Sequence, residues 1–152
     1  MLVKKQLTFL VVFLFSVVMM AQQTAIYTSP LTDYQKALQL FNNQQYLAAQ
    51  TLFSQVKKQT DNPNIESDCA FYIANSAIRL NQQGADTMME NFVENYPTST
   101  KKNTAFLDVA DYYFENGKYA YAQKWYDKVD EASMSRADRE KFNFNNFNTF
   151  CG

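Results

Sequence analysis

FLDVADYYFENGKYAYAQKWYDKV, residues 106–129, is aromatic at regular intervals yet half polar. Phe106, Ala110 and Tyr113 recur at four and three, the spacing of one helical face. ENGK then breaks the pattern at residues 115–118, and Ala122, Tyr126 and Val129 resume it. This is the text of two helices joined by a tight turn. Tyr112, Tyr113, Tyr119, Tyr121, Trp125 and Tyr126 could form a stacking platform for a ligand, or the packing of a helix pair. The spacing favours packing, with Tyr112 and Tyr121 off the packing positions.

The same text occurs twice. At an offset of 73, Ala37 falls on Ala110, Leu40 on Tyr113 and Phe41 on Phe114. Tyr46 falls on Tyr119, Ala49 on Ala122, Phe53 on Tyr126 and Val56 on Val129. Half of that offset, about 36 residues, is the length of one helical hairpin in a stacked array. The middle unit contributes Ala74 and Leu80 at the corresponding places. Outward from this repeat the chain reads as all-α, with helices near 30–43, 46–58, 63–81, 84–95, 100–116, 119–131 and 136–149. Ser29-Pro30 and Asn62-Pro63 read as N-caps followed by a proline in the first turn. Ser135 with Asp138 resembles a capping box. The units divide as 29–61, 62–97 and 98–133, followed by a terminal helix or partial fourth unit at 134–152.

Residues 106–129 resemble the tetratricopeptide repeat (TPR) over almost a full unit. Phe106, Ala110, Tyr113, Gly117, Ala122, Tyr126 and Val129 occupy the family's pattern in order. The first unit departs from it with Gln44 at the turn glycine and Asp33 at the first large apolar place. In the second, Asp86 and Glu90 stand where a small residue and an aromatic are wanted, and the NQQG turn reads as one residue too long. Its tail, NFVENYPTS, is similar to a segment common in bacterial envelope proteins of that superfamily.

The resemblance implies a solenoid of three hairpins plus a C-terminal helix, acting as a protein-binding scaffold rather than an enzyme. Its first helices would line a groove for a partner peptide or helix. By repeat position that groove takes Tyr34, Leu38, Phe41 and Asn42, then Phe71, Asn75, Ile78 and Arg79, then Leu107, Asp111, Phe114 and Glu115. The TPR subset that clamps a carboxylate tail needs Lys and Asn where this chain has Tyr34 and Leu38, so that specificity is not expected.

The N-terminus carries a different signal. Lys4 and Lys5 precede an apolar run from Leu7 to Met20, and Ala21 offers a cleavage point. Residues 1–21 therefore read as a secretory signal peptide and 22–28 as a short linker. The competing reading is an uncleaved anchor, although a span needs about 20 apolar residues. The expected location is the periplasm or outer envelope, with membrane contact only through an uncleaved signal segment.

Cleavage would leave 12 Lys and Arg against 15 Asp and Glu, a net charge of −3, and no basic stripe for nucleic acid. The chain has no histidine, and glycine is too scarce for a phosphate loop, so catalysis and cofactors are not expected. Cys69 reads as a small buried hydrophobe. Cys151, two units away, should lie about 20 Å from it, beyond the roughly 7 Å that a disulfide spans.

The final EKFNFNNFNTFCG carries Phe142, Phe144, Phe147 and Phe150 over a wide arc. It fits an imperfect cap, a self-association face, or the opening of a longer array. A glycan- or cell-wall-binding module using exposed aromatics is the alternative functional class.

Overall fold

The computed structural model describes residues 29–149, so the signal segment, the linker, Phe150 and Cys151 lie outside the described residues. Seven α-helices and one short 3₁₀ turn (Glu131–Ser133) make up the described chain, with no strand among them. In order they are α1 (Pro30–Asn42), α2 (Tyr46–Gln59), α3 (Pro63–Arg79), α4 (Ala85–Asn95), α5 (Lys102–Glu115), α6 (Tyr119–Tyr126) and α7 (Arg136–Thr149). Each packs on the next in sequence, and α1, α3, α5 and α7 also touch in series.

The caps follow the sequence. The Ser29 hydroxyl accepts from Leu31 N at 3.4 Å, and Asn62 Oδ1 accepts from Asn64 N at 3.0 Å. Ser135 Oγ accepts from Asp138 N at 3.2 Å and donates to the Asp138 carboxylate at 2.7 Å. This is a variant of the capping box that uses the hydroxyl for both bonds.

The first helix of each hairpin ends in the same way. Gln45 N donates to Leu40 O, Gln82 N to Ala77 O, and Lys118 N to Tyr113 O, at 2.9, 3.0 and 2.9 Å. These six-to-one bonds require a left-handed residue just before the donor. Gln44 (φ 60°), Asn81 (φ 53°) and Gly117 (φ 70°) supply it. Their spacing is 81 − 44 = 37 and 117 − 81 = 36, which together restore the 73-residue offset. Asparagine tolerates this conformation and glutamine does so at a cost.

Two sequence expectations need correction. The second hairpin's loop is longer, residues 80–84 against 43–45 and 116–118, yet its small residue comes one place before Asp86. The fully or nearly buried alanines pair as Ala37 with Ala49, Ala74 with Ala85 and Ala110 with Ala122. Those separations are 12, 11 and 12 residues. Ala85, Met89 and Phe92 therefore hold the places of Ala49, Phe53 and Val56, and all six are buried. Asp86 and Glu90 fall one step round the helix and face α6 instead. There Asp86 lies 3.6 Å from the Lys124 ammonium and Glu90 lies 2.5 Å from that of Lys128.

Helix α6 is also shorter than its periodicity implies, ending at Tyr126 rather than near 131. Beyond it Lys128 N and Val129 N donate to Trp125 O and Tyr126 O, the tighter i−3 pattern. Asp130 then caps the 3₁₀ turn by accepting from Ala132 N at 3.1 Å.

The core has two parts. Ala37, Ala49, Phe53, Val56 and Cys69 form one, and residues of α3 to α7 the other. Tyr72 belongs to both, stacked on Phe53 at 4.9 Å and edge-on to Phe41 and Phe71 at 5.0 and 5.1 Å. Trp125 and Tyr126 are fully enclosed, with Trp125 against Phe106 at 5.6 Å. The aromatic stretch of the third hairpin is thus mostly packing. Tyr121, 56% exposed, lies against Tyr113 at 5.4 Å. Cys69 is buried, and desolvation pushes its thiol up to about 12.

Helix α7 continues the repeat. Phe142 stands 73 residues after Cys69 and is buried like it, edge-on to Tyr126 at 5.5 Å. Phe144 and Phe147 stand 73 after the buried Phe71 and Ala74, yet both are about 70% exposed. The helix is seated by one face only.

The left-handed turns give a direct test. A Cβ at Gly117 would meet nothing within 4 Å, so any cost of Gly117→Ala comes from the backbone alone. That variant should lose about 1 kcal/mol, and Gln44→Gly should gain up to about 1 kcal/mol, in chemical denaturation.

Candidate functional site

The twelve residues expected to line a groove divide in two. Phe71, Asn75, Ile78, Leu107 and Asp111 are buried. The other seven, Tyr34, Leu38, Phe41, Asn42, Arg79, Phe114 and Glu115, are at least partly exposed.

Asp111 is a structural hub. Its Oδ1 accepts from Tyr126 Oη at 2.7 Å and from Asn145 Nδ2 at 2.9 Å. Its Oδ2 lies 2.7 Å from the Lys141 ammonium, which is held above its usual pKa chiefly by that bond. One buried carboxylate thereby joins α5, α6 and α7. Burial, then the bond to Asp111, drives the Tyr126 phenol far above its ordinary value.

Arg79 performs similar work across the three hairpins. It lies in the last turn of α3, where a cation suits the helix dipole. Its guanidinium sits over Tyr112 at 4.8 Å, Phe41 at 5.2 Å and Tyr46 at 5.6 Å, and donates to Asn75 Oδ1. Aromatic faces from α1, α2 and α5 therefore enclose one charge. Asn75 is buried as the acceptor that orients it.

Asp108 is the residue that repeat position did not single out. It sits on α5 between Leu107 and Val109, at the place that Tyr72 holds in α3. Among the described residues it makes no hydrogen bond and no ion pair within 4 Å. Burial pushes its carboxyl from 3.8 to about 6, against the opposing pull of Arg79 and Lys101. Lys101 itself lies over the rings of Tyr72 and Phe71 at 5.4 and 5.8 Å. A charged residue inside the apolar run FLDVA was the available signal.

The first helices of the hairpins thus carry the partly exposed Leu38, Phe41 and Phe114 and the half-buried Asp108 carboxyl. Such an arrangement can accept a donor or a cation from an incoming chain. Among the described residues no group of three His, Cys, Asp or Glu could hold a metal ion. No described helix is long and apolar enough to cross a membrane.

Comparisons with family models, with characterised proteins and with solved structures find no match to this chain.

The Asp108 carboxyl fixes a pH dependence. A raised acid binds its proton more tightly in the folded state, so its share of stability is present below 3.8 and is lost as pH rises to about 6. Asp108→Asn should therefore melt higher than the parent at pH 7. The gap should open between about pH 4 and pH 6 and stay level above, as followed by thermal melts across that range.

Proposed function

We propose that this chain is a TPR-like helical solenoid of the bacterial cell envelope, a non-enzymatic scaffold holding a segment of a partner protein against its inner helices. The repeated left-handed turns and the paired alanines support the solenoid. The observation that carries the function is Asp108, an ionisable group kept half-buried on α5 without a hydrogen bond or close ion pair, on the same series of first helices as the partly exposed Leu38, Phe41 and Phe114. Leaving a carboxylate in that state costs stability, and a partner's donor would remove the cost on binding. Apolar contacts beside one charged acceptor suit an extended segment or a helix carrying a lysine or arginine.

The glycan-binding alternative loses its centre, because Trp125 and Tyr126 are enclosed and only Tyr119 and Tyr121 of that cluster are exposed.

Photocrosslinking amino acids placed at Leu38 and Glu115 test the reading in cells that export the chain. A discrete protein adduct should form from both positions and disappear when Asp108→Lys is added. Absence of any adduct, or an adduct indifferent to Asp108→Lys, would count against the inner face.

A further inference from the structure

A second surface lies between α2 and α4. Two adjoining clefts of about 530 and 190 Å³ share Ile73 and Met88 as their floor. Their origin lies in the repeat. Where α4 meets α6 and the residues just past it, Asp86 and Glu90 pair with Lys124 and Lys128 across the contact. The equivalent places between α2 and α4 hold no charge. Gln50 stands for Asp86 and Ser54 for Glu90, each 36 residues earlier, as Ala49 stands for Ala85. Asn91 stands for Lys128, 37 residues earlier, as Ala85 stands for Ala122. Gln50, Ser54 and Asn91 line the clefts instead of bridging them.

The lost first turn of α4 adds to the opening. Gln82 to Gly84 stand where Tyr46 to Ala48 begin α2, so bulky helical side chains are replaced by a loop. One end is closed by a reciprocal amide pair. Gln50 Nε2 donates to Gln82 Oε1 and Gln82 Nε2 to Gln50 Oε1, both at 2.9 Å. Both amides can rotate to serve a peptide backbone.

The chemistry of the lining selects the occupant. The charged side chains that line it are both cationic, Lys57 and Lys58. Lys57 lies over the Tyr96 ring at 5.4 Å, and Tyr96 Oη donates to Glu66 at 2.9 Å. The ring is therefore covered and offers no platform for a sugar. Ile73 and Met88 give an adaptable apolar floor, and Met is suited to aliphatic guests of varied shape.

We propose that the α2–α4 cleft is a second docking site, independent of the inner face, for an acidic protein segment that seats one aliphatic side chain on Ile73 and Met88. Its carboxylates meet Lys57 and Lys58, and its backbone replaces the Gln50–Gln82 amide pair.

The test uses fluorescein-labelled twelve-residue peptides and the exported chain, read by anisotropy. One peptide has a central leucine flanked by glutamates, one the same leucine flanked by lysines, and one a glutamine between glutamates. Only the first should bind saturably. Lys58→Glu, on an exposed helical face, should weaken it at least tenfold, and so should Met88→Glu. Asp108→Lys should leave it unchanged, which separates this site from the inner one. Three results would overturn the proposal: no saturable binding of the first peptide, equal affinity for Lys58→Glu, or displacement by chito-oligosaccharide. Loss of binding in Asp108→Lys would also do so, by placing the peptide on the inner face.

Discussion

Six alanines, Ala37 and Ala49, Ala74 and Ala85, Ala110 and Ala122, set how closely the paired helices approach, because only a methyl group stands on that face. All six are buried, and the large side chains fill the space beside them. Phe53, Met89 and Tyr126 follow the second alanine of each pair by four residues, and every one is enclosed. The turn between paired helices must then reverse the chain within a few residues. Gln44, Asn81 and Gly117 do so through a left-handed backbone, two of them without glycine's freedom.

A second level of organisation is polar. Tyr34 donates to Asp68, Tyr96 to Glu66, Tyr113 to Asp86 and Tyr126 to Asp111, at 2.8, 2.9, 3.4 and 2.7 Å. Each bond joins a tyrosine on one element to a carboxylate on another, where the ring packs and the phenol satisfies an acid. Arg79 and Asp111 extend the idea to single charges that tie three elements together. Asp108 breaks the pattern, since it is half-buried with no such partner.

The helices, their caps and the repeat were legible in the sequence because they rest on local rules. Proline after Ser29 and Asn62, and apolar spacing of three and four, report directly on backbone geometry. The second hairpin was misread because its two helices were given the spacing of the other hairpins, which counts twelve residues from Ala74 to Asp86. The turn at Asn81 falls where that count puts it, but Gly84 adds a second left-handed residue before α4 and the small contact comes one residue early, at Ala85. Residue spacing alone cannot show that shift. Which of the twelve residues expected to line a groove are buried was not legible in the sequence. Asn75 and Asp111 look like polar surface residues in the sequence, and only their partners, Arg79 and the trio from α6 and α7, explain why they are buried. The α2–α4 cleft depends on a shift of one residue between repeats, which a register centred on Asp86 conceals.

That register decides most directly whether the three hairpins are built alike. Ala49→Leu, Ala85→Leu and Ala122→Leu should each lower stability by about 1–3 kcal/mol in equilibrium denaturation, the usual cost of overfilling a packed contact. Asp86→Leu, on the face toward α6, should cost clearly less than Ala85→Leu. If Ala85→Leu were neutral and Asp86→Leu as damaging as Ala49→Leu, the small contact of the second hairpin would lie at Asp86. The repeat as described would then be wrong.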